Sequence, residues 1–339
     1  MKKLRIGING FGRIGRNATR IILNRPDVEV AAVNSRAGAM SHAYLLKYDS
    51  SYGILDKDVK AADENLEVDG KTISIFNSDK PSEIPWSKAQ VDIVIDSTGK
   101  FRTTEDLQGH LSAGAKLVVL SAPAKDSTKT LVLGVNHESF NPKSDKIVSN
   151  SSCTTNCLST TIKVIHENFK ILHGFMTTTH AVTDSQNLLD NSHKKEVRLR
   201  RASFASMIPA STGSAKDIGK LYPDLNGRII CQAIRVPLLT VSMINLTVLV
   251  EKKCSADDIN NAFLSASNDK LKGILSVAQD ELVSKDFTGN PYSSIIDPYL
   301  TRVLDGYLVN VYAWYDNEWG YTNRLVDMVS FIGAKAGLI

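Results

Sequence analysis

Cys153 lies in Ser149-Asn150-Ser151-Ser152-Cys153-Thr154-Thr155-Asn156-Cys157, a thiol among small hydroxyl and amide side chains. A run that reads as a helix, Leu158 to Phe169, follows directly. This places the thiol at or near a helix N-terminus, where unpaired N–H groups and the helix dipole favour the thiolate. A thiolate there is a nucleophile, and its polar neighbours leave room for a substrate. A lone cysteine is more often an inert buried thiol, so a partner is needed. His180 offers one: it closes a strand-like run, Phe175 to Thr179, within Thr177-Thr178-Thr179-His180-Ala181-Val182-Thr183. Histidine is the usual general base near neutral pH. His42, His110, His137, His166, His173 and His193 read as structural.

A redox partner for such a pair is suggested by the N-terminus. Leu4 to Asn9 is a short apolar strand. Gly10-Phe11-Gly12-Arg13-Ile14-Gly15 follows, then a helix over Arg16 to Asn24 and a strand over Val28 to Val33. In that setting the glycines are a dinucleotide fingerprint: one for the tight turn, one for close approach of a pyrophosphate, one for helix–strand packing. Sites for NAD usually carry an acidic residue at the end of the second strand to hold the ribose 2′-OH. Here Val33-Asn34-Ser35-Arg36 has no carboxylate. Ser35 removes repulsion of a 2′-phosphate and Arg36 supplies a positive charge, so NADP is expected to serve at least as well as NAD. A lost charged hydrogen bond costs about 1.5–3 kcal/mol. Two further apolar runs end in Ser97-Thr98-Gly99 and Ser121-Ala122-Pro123, side chains suited to lining a cofactor crevice or to ordinary turns. Lys71 to Phe76 reads as part of a small antiparallel excursion.

Anion sites are suggested in the second half. Arg198-Leu199-Arg200-Arg201 is a basic cluster, Pro209-Ala210-Ser211-Thr212-Gly213-Ser214 a hydroxyl-rich turn before a helix beginning near Ala215, and Arg235 a cation inside an apolar run, costly unless paired. Each also reads as a charged loop, a helix cap or an ion pair. Leu308 to Trp314 is a strand. Asn317, just beyond it, can hold a nicotinamide carboxamide or simply turn the chain, and a last helix runs to about Gly333.

The chain has 339 residues, 42% hydrophobic and 22% charged, with net charge +4. Two domains and an ordinary globular composition follow. The charge is too small to argue for nucleic acid as the main partner. Four cysteines form neither a disulfide framework nor a zinc pattern, which suits a reducing, cytoplasmic setting. No signal peptide or membrane span is expected, and no metal site.

Six stretches give the chain a family likeness: Ile8–Arg16, Leu46–Ser50, Ser149–Cys157, Ser211–Gly213, Arg235–Pro237 and Trp314–Gly320. Over nearly its whole length it resembles phosphorylating glyceraldehyde-3-phosphate dehydrogenase. The resemblance implies Cys153 as nucleophile and His180 as base, with glyceraldehyde 3-phosphate and inorganic phosphate as substrates. Ser152, Thr154, Thr212 and Gly213 match the inorganic-phosphate pocket, joined by an arginine that maps best to Arg201, with Arg198 and Arg200 as candidates. Thr183 and Arg235 match the pocket for the substrate's own phosphate. Asn317 looks like the nicotinamide anchor, with Tyr321 beside the cofactor. Asn9, Gly10, Phe11, Gly12, Arg13, Ile14, Asn34, Ser35, Arg36, Ser97, Thr98, Gly99, Ser121 and Ala122 match its remaining contacts. Leu188–His193 is similar to the corresponding loop of NADP-using members, where a serine, here Ser192, reaches the 2′-phosphate of a neighbouring subunit's cofactor. The implied fold is α/β: a Rossmann doubly wound parallel sheet over 1–152 and 317–339, plus an α+β catalytic domain over 153–316 with a mainly antiparallel sheet. The implied assembly is a homotetramer. Erythrose-4-phosphate dehydrogenase is a rival, though it generally lacks the Ser-Thr-Gly turn and the Thr three residues after the His, both present here. An arsenate-using glyceraldehyde-3-phosphate dehydrogenase stays open, since the two anions are nearly isosteric.

Overall fold

A computed structural model describes residues 2–193 and 196–339. They fall into two compact units, 1–151 with 322–339, and 152–321.

In the first unit β1 (Leu4–Asn9), α1 (Arg13–Ile22) and β2 (Val28–Asn34) form a parallel βαβ unit. Leu4, Ile6 and Ile8 are fully buried, as a parallel strand covered on both faces requires. The helix starts at Arg13 rather than Arg16, with Gly12 as its cap. α2 (Ala39–Lys47) leads to a short hairpin, β3 (Tyr48–Asp49) and β4 (Gly53–Ile54). β5 (Val59–Ala62), β6 (Asn65–Val68) and β7 (Lys71–Phe76) follow. β7 corrects the expected excursion: it runs parallel to β2, pairing Ala32 with Ser74 and Asn34 with Phe76, and only β6 and β5 beyond it are antiparallel. Its apolar alternation suits either place, and only the long-range partner decides. β8 (Ile93–Asp96), α3 (Thr104–Ser112), β9 (Leu117–Leu120), β10 (Lys129–Thr130) and β11 (Ile147–Ser149) complete a nine-stranded sheet in the order β10-β11-β9-β8-β1-β2-β7-β6-β5.

The second unit opens with α4 (Cys153–Phe169) and β12 (Ile171–His180). α4 begins at Cys153 itself, not at Leu158, because Ser152 caps it: its Oγ accepts the Thr155 N–H at 3.1 Å. The polar first turn, Thr154 to Cys157, is buried. β13 (Ile208–Ala210), α5 (Ser214–Leu221), β14 (Ile229–Arg235), β15 (Ser242–Val250), α6 (Ala256–Asn268), β16 (Leu275–Val277), β17 (Ser294–Leu304) and β18 (Leu308–Tyr315) follow. They make a seven-stranded sheet in the order β13-β14-β12-β15-β18-β17-β16, antiparallel except for β12–β14 and β16–β17. Every second residue of β15 is buried, and Ile244, Leu246 and Val248 share a core with Leu158, Ile162 and Ile165 of α4. That packing fixes the start of α4 against the end of β12. Asp316 then anchors the start of the last helix, α7 (Trp319–Lys335): its Oδ1 accepts the N–H groups of Glu318 and Trp319. No described helix is long and apolar enough to cross a membrane.

Candidate active site

β12 ends where α4 begins, and the two ends bring the thiol and the imidazole together. Cys153 Sγ lies 3.5 Å from His180 Nε2. The Nδ1 side of the ring meets the Ala181 carbonyl at 2.7 Å and Arg235 Nη1 at 2.6 Å. β14 delivers that guanidinium, because His180 and Arg235 are register partners in the parallel β12–β14 pair. The cation in an apolar run thus finds its polar partners within the site, the Ala181 carbonyl among them. Burial drives His180 down to about 3, with the Arg235 charge adding to the effect and the Ala181 carbonyl opposing it. Burial also raises the Cys153 thiol above its usual value, partly offset by Arg235 and by hydrogen bonds around Thr154. Burial in this site thus works against the expected thiolate, while the Arg235 charge and the hydrogen bonds at the start of α4 favour it. A neutral imidazole beside a thiol is still able to take its proton as an electrophile approaches.

Hydroxyl groups join the N-termini of α4 and α5. Ser152 Oγ lies 2.9 Å from Thr155 Oγ1, which reaches Ser214 Oγ at 3.5 Å, which meets Thr212 Oγ1 at 3.0 Å. The structure thus gathers Ser152, Thr212 and Ser214 of the expected hydroxyl-rich turn, with Gly213 as the α5 cap, and adds Thr155, which sequence reading missed. Thr155 is an ordinary helix-start residue in the sequence and carries no signal of its own. Thr154 is buried, and its hydroxyl bonds Tyr315 Oη at 2.9 Å; Tyr315 also meets Thr178 at 2.8 Å. Thr183 bonds Ser185 and Gln186. Arg201 forms an exposed pair with Asp190 at 3.1 Å, whereas Arg198 lines a cavity of about 550 Å³ with Ser211 and Glu196. Glu196 is a second missed residue: its carboxylate accepts from the Ser211 hydroxyl at 2.6 Å and from the Ser211 N–H at 3.2 Å. Asn317 is held by Ser242, whose hydroxyl donates to Asn317 Oδ1 at 2.9 Å and accepts the Ala181 N–H. That bond takes the amide oxygen and leaves Nδ2 as the group Asn317 can offer. Tyr321 is buried on the first turn of α7. Cys157 is a buried thiol within the core, as expected.

The first unit carries the dinucleotide features. Gly10 has φ +92°, left-handed backbone that glycine adopts without strain. A Cβ on Gly15 would collide with the Gly10 carbonyl, so helix and strand approach only because it is absent. A Cβ on Gly12 would meet nothing within 4 Å. α1 has no side-chain cap and no acidic residue in its first turn, so a pyrophosphate fits its N–H groups. Phe11 packs edge-on against His42, and Arg13 forms an ion pair with Asp49. Ile14 is partly buried in the first turn of α1. Several strand-end side chains are taken up internally. Asn34 donates to Asn9 and Ser78, Asn9 donates to Asp96, Ser97 donates to the Gly10 carbonyl, and Thr98 donates to Asp96. Gly99 has φ +66°. Ser121 continues the sheet by donating its N–H to Asp96, and Ala122 accepts from Ser149. Ser35 donates its N–H to Phe76 O, and Arg36 pairs with Asp79 at 3.1 Å, both side chains more than 70% exposed. Ser192 is exposed, its carbonyl accepting from Asn187.

Comparison with known proteins agrees with this arrangement. Residues 4–104 match the model of the glyceraldehyde 3-phosphate dehydrogenase NAD binding domain, and residues 152–317 that of the C-terminal domain. The chain is 46% identical over 332 residues to glyceraldehyde-3-phosphate dehydrogenase of Geobacillus stearothermophilus, spanning 98% of this chain and 99% of that one. It is 46% identical over 332 residues to the Streptomyces coelicolor enzyme of that name, spanning 97% and 98%. Against glyceraldehyde-3-phosphate dehydrogenase 1 of Bacillus subtilis it is 45% identical over 335 residues, spanning 99% of each. With a thiol–imidazole pair, a glycine turn and matches of this length, the chain belongs to the glyceraldehyde 3-phosphate dehydrogenase family.

Proposed function

We propose that this chain oxidises D-glyceraldehyde 3-phosphate to 1,3-bisphosphoglycerate through an acyl group carried on Cys153. The observation that carries this reading is the 3.5 Å approach of Cys153 Sγ to His180 Nε2. Sγ attacks the aldehyde carbon as its proton passes to His180, and the imidazolium returns that proton to the carbonyl oxygen, giving a hemithioacetal and a neutral ring. The imidazole then serves as base for the hemithioacetal hydroxyl. A bound nicotinamide cofactor supplies the hydride acceptor for the oxidation. Cys153 thereby carries a thioester, and attack by phosphate frees the acyl phosphate and restores the thiol. Ser152, Thr154, Thr212 and Gly213, with the α4 and α5 termini, hold that phosphate. Arg201 joins them by exchanging its pair with Asp190, which is exposed and therefore weak. Thr183 and Arg235 receive the substrate's own phosphate. The dinucleotide is held by residues 9–14, Asn34, Ser35, Arg36, Ser97, Thr98, Gly99, Ser121, Ala122 and Tyr321, with Asn317 Nδ2 donating to the nicotinamide carboxamide.

NADP serves this enzyme at least as well as NAD. Support comes from Ser35 in place of a carboxylate and from Arg36, whose exposed pair with Asp79 is weak enough to exchange; Ser192 of a neighbouring subunit adds a 2′-phosphate ligand. A homotetramer is supported by exposed apolar side chains on the second unit. Phe175 and Ile230 are register partners, 61% and 55% exposed, and Leu189 and Met207 are more exposed still. Four free cysteines suit a cytoplasmic setting.

Cys153→Ser tests the reading. Phosphate-dependent reduction of the cofactor is abolished; near-normal turnover in that variant overturns the assignment.

A further inference from the structure

Ser242 is buried at the start of β15, and its hydroxyl serves two parts of the site at once. Its oxygen accepts the Ala181 N–H at 3.1 Å, and its proton goes to Asn317 Oδ1 at 2.9 Å. Ala181 follows His180, and its carbonyl lies 2.7 Å from His180 Nδ1. One hydroxyl thus joins the backbone beside the imidazole to the side chain assigned to the nicotinamide carboxamide. The two ends of a primary amide have nearly the same shape and opposite chemistry: Oδ1 accepts and Nδ2 donates. The Ser242 proton engages Oδ1, which makes Nδ2 the end offered to a ligand.

The segment that carries Ser242 is held at successive residues. Thr240 Oγ1 donates to Asp316 Oδ1 at 2.8 Å. Val241 has φ +71°, left-handed backbone that a β-branched residue adopts only under constraint, and its side chain is buried with Ala278, Phe287 and Ile295. Ser242 pairs with Tyr315 in the β15–β18 ladder while its side chain meets Asn317. Asp316 ties the same turn to a further loop, its Oδ2 accepting the Gly289 N–H at 2.9 Å. Thr240 and Ser242 therefore grip Asp316 and Asn317, two neighbours on one turn. Strain such as that of Val241 persists where the surroundings over-determine a conformation. Here it sets the direction in which the next side chain, Ser242, leaves the strand.

We infer that Ser242 is a positioning residue: it fixes the Asn317 amide with Nδ2 as the offered end, so that the site reads the carbonyl oxygen of the nicotinamide carboxamide, and it ties that anchor to the backbone next to His180. This rests on the proposed contact between Asn317 and the carboxamide and adds what aims the amide. Without the Ser242 proton, Asn317 Oδ1 loses its donor although the side chain is only 5% exposed, and the amide is no longer held in one orientation. A donor set in place before the cofactor binds needs no ordering afterwards. The loss therefore falls on the nicotinamide end of the dinucleotide and spares the rest of it.

Calorimetric titration of the intact enzyme with NAD and with ADP-ribose, which lacks the nicotinamide, separates aim from folding. Ser242→Ala is expected to weaken NAD about fivefold or more while changing ADP-ribose by less than about twofold. Asn317→Ala is expected to do the same, and adding Ser242→Ala to it to cost NAD less than about twofold further. Equal losses for both ligands in Ser242→Ala, no loss for either, or a second full loss in the double variant overturns the role of Ser242. The wild type supplies a test that needs no variant to fold. An analogue with 3-acetylpyridine in place of nicotinamide keeps the carbonyl and lacks the amine, whereas one with 3-aminopyridine keeps the amine and lacks the carbonyl. The acetyl analogue is expected to bind about fivefold or more tighter than the amino analogue. Equal affinities or the reverse order overturn the inference, because Asn317 is then not fixed as a donor. Asn317→Ala that spares NAD removes the carboxamide contact itself; Asn317→Ala that weakens NAD beside a Ser242→Ala that does not removes only the aiming by Ser242.

Discussion

His180 is buried and uncharged, and that state makes the protein sensitive to acid in a way that can be calculated. Its pKa is about 3 in the folded chain, against 6.5 for an unperturbed imidazole. A depressed histidine leaves stability intact above the unfolded value. Stability is lost as pH falls below about 6.5, because only the unfolded chain then takes up the proton, and the loss levels off near the folded value. Each unit of difference is worth about 1.4 kcal/mol, so at about pH 5 the cost is roughly 2 kcal/mol, approaching roughly 5 kcal/mol below pH 3. Replacing the ring with an amide removes this proton altogether. His180→Gln, measured by urea unfolding at fixed protein concentration, should therefore lose about 2 kcal/mol less than wild type between about pH 7.5 and pH 5. Arg235→Met should narrow the difference as well, since the guanidinium contributes to the depression. Identical pH dependence in wild type and His180→Gln would refute the neutral, desolvated imidazole on which the base assignment depends.

Two neighbouring glycines should respond differently to alanine. Gly15→Ala sets a Cβ against the Gly10 carbonyl and lowers the free energy of unfolding by about 1–3 kcal/mol, with a lower midpoint. Gly12→Ala meets nothing in the protein, so it should keep its midpoint yet weaken dinucleotide binding measured by calorimetry; equal effects of the two would contradict the pyrophosphate position. Ser35→Asp should raise the NADP KM about 10- to 100-fold while sparing or improving NAD. Unchanged KM values for both cofactors would place the 2′ group elsewhere.

Features decided by short stretches of backbone were readable from the residues alone. Gly10 and Gly15 answer to a turn and a helix–strand approach inside one βαβ unit, so their spacing announces them. The proximity of Cys153 to His180 was recognisable through motif likeness, although composition gives no hint of the distance. What depended on remote partners was hidden. The start of α4 reads as loop because Thr154, Thr155 and Asn156 are polar, and only packing shows that they are buried. β7 declares a strand but not its neighbour, which lies some forty residues earlier in the chain. Tyr315 reaches Thr154 across 161 residues, and Glu196 reaches Ser211 from a charged loop that looks merely solvated. The burial that opposes a thiolate was hidden for a related reason: a helix terminus is visible in sequence, whereas desolvation is a property of the assembled site.

The central claim is that the oxidised substrate is carried on one particular sulfur. Mixing the enzyme with glyceraldehyde 3-phosphate and oxidised cofactor in the absence of phosphate, quenching in acid and mapping the peptides by mass spectrometry tests it directly. An acyl group on Cys153 that disappears when phosphate is added before the quench is the predicted result. A burst of reduced cofactor with Cys153 unmodified, or with the acyl group on Cys157, Cys231 or Cys254, would contradict it.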